Sequence, residues 1–124
     1  MTQLERIVRQ AQERYGTEPE HLWAKYPDYM VLRHSASKKW YAALMNVPVQ
    51  RLGLPGDNSV DVLDVKCDPR MIGSLLSEKG FLPAYHMSKS NWISILLDES
   101  VPDEQIFSLL ELSYDSVAPK RKKK

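Results

Sequence analysis

Leu4, Ile7, Val8, Ala11 and Tyr15 recur at the three- and four-residue spacing of one helix face. Thr2 stands where an N-cap belongs and Gly16 just past the end, so an amphipathic helix is predicted over residues 2–15. Thr17-Glu18-Pro19-Glu20 stops it, and a turn leads into His21-Leu22-Trp23, where a short strand or 3₁₀ turn is expected. Residues 29–34 and 39–47 are rich in aromatic, branched or apolar side chains. With Ser35-Ala36-Ser37-Lys38 as the loop, they predict an antiparallel hairpin. Residues 48–59, punctuated by Leu52-Gly53-Leu54-Pro55-Gly56-Asp57-Asn58, read as a surface loop, and residues 60–66 follow with the mostly period-two pattern of a strand.

Asp68 followed by Pro69 is the start signal of a helix whose apolar face is Met71, Ile72, Leu75 and Leu76, with Gly80 as its stop. Residues 81–86 and 92–97 look extended, and Ser88-Lys89-Ser90-Asn91 links them as a loop or a helical turn. Ser100 or Asp103 opens a last helix with Ile106, Leu109, Leu110, Ser113, Tyr114 and Val117 on one face, ended by Pro119. Helix, three strands, helix, two strands, helix predicts an α+β two-layer sandwich, an antiparallel sheet with helices packed on one face.

A length of 124 residues with 43% hydrophobic content supports one core. The expected division is a domain at residues 1–118 and a basic, disordered tail at 119–124. No apolar stretch approaches the roughly twenty residues of a membrane span. The N-terminus lacks a secretory signal, and the one cysteine, Cys67, excludes an intrachain disulfide and reads as a small buried hydrophobe at a strand end. A cytoplasmic protein without membrane attachment is expected.

Charge changes the picture. The formal net charge is +1, but Lys120-Arg121-Lys122-Lys123-Lys124 holds five cations. Residues 1–119 carry twelve Lys and Arg against sixteen Asp and Glu, about −4. An acidic body can neutralise phosphates only through local basic patches.

One such patch is Arg33, His34, Lys38 and Lys39, beside Trp40 and Tyr41 at the hairpin tip, where a basic turn can contact phosphates as a wing does. Residues 83–92 form the densest constellation: Tyr85, His86, Lys89 and Trp92 set imidazole, phenol, ammonium and indole close together. Catalysis by His86 would need a carboxylate such as Asp68 or Asp98 beside it, and nothing in the chain demands that. His21, His34 and His86 show no metal-site spacing. No phosphate loop, dinucleotide fingerprint or nucleophile elbow is present. No cofactor, metal or catalytic residue is assigned.

Several motifs share an order and spacing: Tyr15-Gly16-Thr17-Glu18-Pro19 with Leu22-Trp23, Trp40-Tyr41, Leu52-Gly53-Leu54-Pro55-Gly56 and Lys66-Cys67-Asp68-Pro69. Pro83-Ala84-Tyr85-His86-Met87 follows with Lys89 and Trp92, then Leu97-Asp98, Val101-Pro102 and Ser113-Tyr114. Together these resemble the MmcQ/YjbR family over residues 2–118. The family commonly reads Tyr-His-Met-Asn-Lys-x-His-Trp, whereas Ser88 and Asn91 stand here for the asparagine and second histidine. The resemblance implies a bacterial cytoplasmic protein with a CyaY-like, or frataxin-like, fold that binds DNA through wing-like elements. Frataxin-type iron binding is not carried over, because the opening helix sets only Glu5 and Glu13 among Arg6, Arg9 and Arg14.

The leading expectation is a monomeric, non-catalytic DNA-binding protein with Arg33, Lys38, Lys39, Lys66, His86 and Lys89 as contacts. The alternative is an adaptor domain for a protein or small ligand, centred on Tyr85, His86, Lys89 and Trp92.

Overall fold

In the computed structural model, which describes residues 1–120, α1 (Gln3–Tyr15) begins with a complete capping box. Thr2 Oγ1 accepts from the Glu5 N–H, Glu5 Oε1 accepts from the Thr2 N–H, and left-handed Gly16 closes the far end. The chain continues through β1 (Met30–Arg33), β2 (Trp40–Pro48), a 3₁₀ turn at Val49–Leu52, β3 (Ser59–Lys66), α2 (Pro69–Leu76), β4 (Phe81–Pro83), β5 (Trp92–Leu96) and α3 (Asp103–Ser116). Asp68 caps α2 through the Arg70 N–H, with Pro69 at the first helical position. Residues 121–124, where most of the expected disordered tail falls, lie outside the described residues.

The five strands form one antiparallel sheet in the order β1-β2-β3-β5-β4. All three helices cover one face. Ile7 and Ala11 of α1, Ile72 and Leu75 of α2, and Ile106, Leu109 and Leu110 of α3 pack on Leu32, Leu44, Leu63, Val65, Ile93 and Ile95. This is the α+β sandwich that the order of elements predicts.

The second face is buried as well, by chain lacking long regular structure. Val31, Ala43, Met45, Val47, Val62 and Leu96 lie beneath Trp23, Tyr29, Leu52, Leu54, Tyr85 and Met87. Glu20 adds a single antiparallel bridge to Val31 at the edge of β1.

A bulge in β2 breaks the alternation. Leu32 pairs with Ala42 and Arg33 with Trp40, leaving Tyr41 as the extra residue. Tyr41 and Ala42 therefore both face the helices, and the Tyr41 hydroxyl meets Thr17 Oγ1 at 2.6 Å. Beside the bulge, Ser113 of α3 completes the ladder. Its Oγ donates to the Tyr41 carbonyl at 2.5 Å and accepts from the Lys66 N–H at 2.9 Å.

Two boundaries depart from the pattern, at the end of β4 and the end of α2. The strand expected over residues 81–86 ends at Pro83: the Tyr85 N–H turns to Ser94 Oγ, and His86 adopts a left-handed φ of 63°. The link at 88–91 closes as a turn, with the Asn91 and Trp92 N–H groups donating to the Ser88 carbonyl. α2 stops at Leu76, before Gly80, in a turn that returns the chain to β4. The 3₁₀ turn falls within the expected loop at 48–59.

Candidate nucleic-acid interface

The end of β1, the start of β2, the end of β3, the end of β4 and the start of β5 all lie at one end of the sheet, because neighbouring strands are antiparallel. The 34–39 hairpin tip, Lys66 and the 84–91 loop are thereby brought together. This end carries Arg33, Lys38, Lys39, Lys66, His86 and Lys89, residues separated by up to 56 positions in the chain. The chain leaves α3 at the same end, since Ser113 is bonded to Lys66. At the other end, Asp28 precedes β1, Asp57 precedes β3, Asp61 sits near the start of β3, and Asp98 and Glu99 follow β5. Topology gathers these cations at one end, where Glu18, Glu20 and Asp68 also lie, and sets Asp28, Asp57, Asp61, Asp98 and Glu99 at the other, where Arg6 pairs with Glu99.

These residues differ in what they already touch. Lys38 and Lys39 are exposed at the tip, which holds its shape through His34. The His34 N–H donates to the Lys39 carbonyl, the Lys38 N–H donates to the His34 carbonyl, and the Ala36 and Ser37 N–H groups donate to His34 Nδ1. Those bonds place the ring proton on Nε2. The imidazole stacks on Tyr114 at 4.3 Å, so His34 is a structural member of the tip rather than a surface contact. Lys38 takes φ 66°, the conformation that turns the hairpin.

Arg33 is less free than its sequence position suggests. Its Nε donates to Glu20 Oε2 at 2.8 Å, and the guanidinium lies 5.9 Å from the centre of the Trp40 ring. His86 is exposed and lies against Tyr85, ring centres 4.0 Å apart. Lys89 donates to the Ala84 carbonyl at 2.9 Å, tying its own loop. Asp68 and Asp98, the carboxylates considered as partners for His86, are engaged with Arg70 and with the Ser100 N–H.

A hollow of about 360 Å³ next to this loop is lined by Arg51, Leu52, Leu82, Tyr85, His86 and Lys89. A second, of about 500 Å³, lies on the helix side between Lys66, Cys67, Met71, Asn91, Leu109 and Leu112. Among the described residues, no group of three or more His, Cys, Asp or Glu could hold a metal ion, and no helix is long and apolar enough to cross a membrane.

The pattern of residues 60–66 gives no hint of Asp64. It is fully buried on the second face, beneath the 84–91 loop. Ser94 Oγ donates to Asp64 Oδ1 at 2.5 Å and accepts from the Tyr85 N–H at 2.9 Å, while Asp64 Oδ2 has no partner. Burial pushes this carboxyl up to about 7, against weaker opposing pulls from the Ser94 bond and the Lys89 charge. Asp64 and Ser94 thus anchor the backbone of the loop that carries Tyr85, His86 and Lys89.

The family model described as YjbR matches residues 12–116, from the end of α1 to the end of α3. The chain belongs to the YjbR family. Its relatives in YjbR include the uncharacterized protein YyaQ of Bacillus subtilis, 44% identical over 110 residues that cover 89% of this chain and 93% of that protein. A protein of Pseudomonas syringae has a crystal structure with a TM-score of 0.90 at 44% identity, over 92% of this chain and 97% of the other. A Deinococcus radiodurans protein at 21% identity shares the fold, with a TM-score of 0.71 over 94% of this chain and 79% of its own. The two departures from the YjbR motif have backbone roles here: Ser88 accepts the turn bonds, and the Asn91 carbonyl accepts from the Cys67 N–H at 2.7 Å.

Proposed function

We propose that this YjbR protein binds DNA, without catalysis, through the basic end of its sheet. One observation carries the reading: antiparallel topology brings Lys38, Lys39, Lys66 and Lys89 to one end of an otherwise acidic body. Exposed ammonium groups on a turn and a short loop suit phosphate contacts, which position a protein on nucleic acid without reading sequence. Arg33, fixed by Glu20 and Trp40, orients the tip.

The test is fluorescence anisotropy with labelled duplex DNA across a salt series, on the full chain and on residues 1–119. Binding by the shorter chain that weakens log-linearly with salt and falls again with Lys38→Ala and Lys39→Ala supports the reading. Loss of all binding on removing residues 120–124 would sink it, since the tail alone would then hold the DNA.

The hollow beside Arg51, Tyr85, His86 and Lys89 favours a second reading, a small anionic ligand. Inorganic phosphate protecting the protein against thermal unfolding, with the effect lost on Arg51→Ala, distinguishes it from the first.

A further inference from the structure

The second face of the sheet carries a row that the charge count does not reveal. The alternation that turns Val31, Val62 and Leu96 to this face also turns Arg33, Lys66 and Trp92 there, and the bulge sends Trp40 to it. Arg33 pairs with Trp40, and Lys66 pairs with Trp92. Cation and indole thus alternate across β1, β2, β3 and β5, Trp40 lying just past the last β2–β3 pair, Ala42 with Val65, and about 10 Å from Trp92 two strands away.

The indoles differ in what occupies them. Trp40 lies edge-on to Trp23 at 5.8 Å and has Arg33 over its ring. Trp92 is half-buried, belongs to neither apolar cluster, and among the described residues makes no hydrogen bond through its indole nitrogen and no ring contact. A half-buried indole normally meets another ring or a hydrogen-bond partner for its N–H. This one has a cation beside it instead, with Lys89 three residues away at the turn.

Duplex DNA hides the faces of its bases within the stack, whereas a single strand presents them. Aromatic side chains interleaved with cations suit the second form, bases stacking on the rings and phosphates lying on the cations. We propose that the basic end of this face, beyond the covered part, takes single-stranded DNA, with a base stacked on Trp92, its phosphates on Lys66 and Lys89, and the strand continuing over β2 toward Trp40, Lys38 and Lys39. The inference rests on the DNA-binding reading and specifies the form of DNA bound.

Labelled oligo(dT), a duplex of matched length and inorganic polyphosphate are compared on the full chain, by anisotropy and by tryptophan emission. Oligo(dT) is expected to bind more tightly than the duplex and to quench emission, while polyphosphate leaves emission unchanged. Trp92→Ala is expected to weaken oligo(dT) binding by about 5- to 150-fold and to leave duplex binding unaltered. Trp92→Phe keeps a stacking ring, so it should retain oligo(dT) affinity while losing the part of the quenching that Trp92 contributes. That variant decides the matter if Trp92→Ala does not fold. Duplex binding as tight as oligo(dT) binding, or quenching that persists in full in Trp92→Phe, overturns the platform and leaves the DNA-binding reading in place. No binding to either form removes both.

Discussion

Asp64 shows how one residue can set the terms for a loop. A buried carboxylate with one unpaired oxygen is costly when charged, and the protein answers by holding it neutral to higher pH. Its pKa rises from an ordinary 3.8 to about 7. Below the lower value both folded and unfolded chains hold the proton. Between the two, the unfolded chain has lost it and the folded chain keeps it, so this group's contribution falls as pH rises and is gone above about 7. At about 1.4 kcal/mol per unit, the full swing is on the order of 4 kcal/mol. Asp64→Asn still offers an oxygen to Ser94 without a charge. Its stability relative to the parent should therefore rise by a few kcal/mol between pH 4 and pH 8 in urea unfolding, and a difference that does not change with pH would refute the assignment. Ser94→Ala should cost about 2 kcal/mol or more, because both the carboxyl and the Tyr85 N–H lose a buried partner. Faster amide exchange across residues 85–90 would show that the loss is felt in the loop.

Among the elements, the junction of α3 with β2 and β3 depends on a hydroxyl. The pattern of α3 sets Ser113 on the apolar face with Leu109, Leu110 and Val117, where it looks like a small filler. It bridges a carbonyl and an N–H left open beside the Tyr41 bulge. Ser113→Ala keeps the volume but strands both backbone groups, so a loss of about 2 kcal/mol or more is expected from chemical denaturation. A cost below about half a kcal/mol would mean that water replaces the hydroxyl. At the other side of the helix layer, Gln3 of α1 donates to the Val101 carbonyl and to Asp103, and its Oε1 accepts from the N–H of left-handed Glu99. Arg6 adds ion pairs to Glu99 and Asp103. Thr2→Ala breaks the capping box at the start of that helix and should cost about 1 kcal/mol, read from the thermal midpoint.

Across the whole molecule, topology gathers lysines that are scattered along the chain, with Glu18, Glu20 and Asp68 among them at the same end. The strands carry Lys38, Lys39, Lys66 and Lys89 to one end and Asp28, Asp57, Asp61, Asp98 and Glu99 to the other. Reversing Lys38 and Lys39 to Glu together should abolish DNA binding at moderate salt, while reversing Asp57 and Asp61 to Lys, at the far end, should leave the affinity for a short oligonucleotide within about threefold. Equal effects from the two ends, measured by anisotropy, would show that net charge and not the basic end governs binding.

The parts of this protein legible from its sequence are those whose causes lie within a turn or two of the chain. Thr2 with Glu5, Asp68 with Pro69 and the apolar faces of α1 and α3 are local signals, and together with the motif series they lead to the α+β fold and the YjbR family. The hairpin tip was legible for the same reason. Tertiary structure alone decided that irregular chain buries the second face, that Asp64 lies beneath it with Ser94 thirty residues on, and that Ser113 closes the ladder to Lys66 from 47 residues away. It also set Trp92 beside Lys66 and tied Arg33 to Glu20. The physical reason is that a cap or an apolar stripe is satisfied by near neighbours, whereas the partner of a strand residue is chosen by how distant segments pack, and only that packing says whether an aspartate or a tryptophan meets water, a serine or a cation.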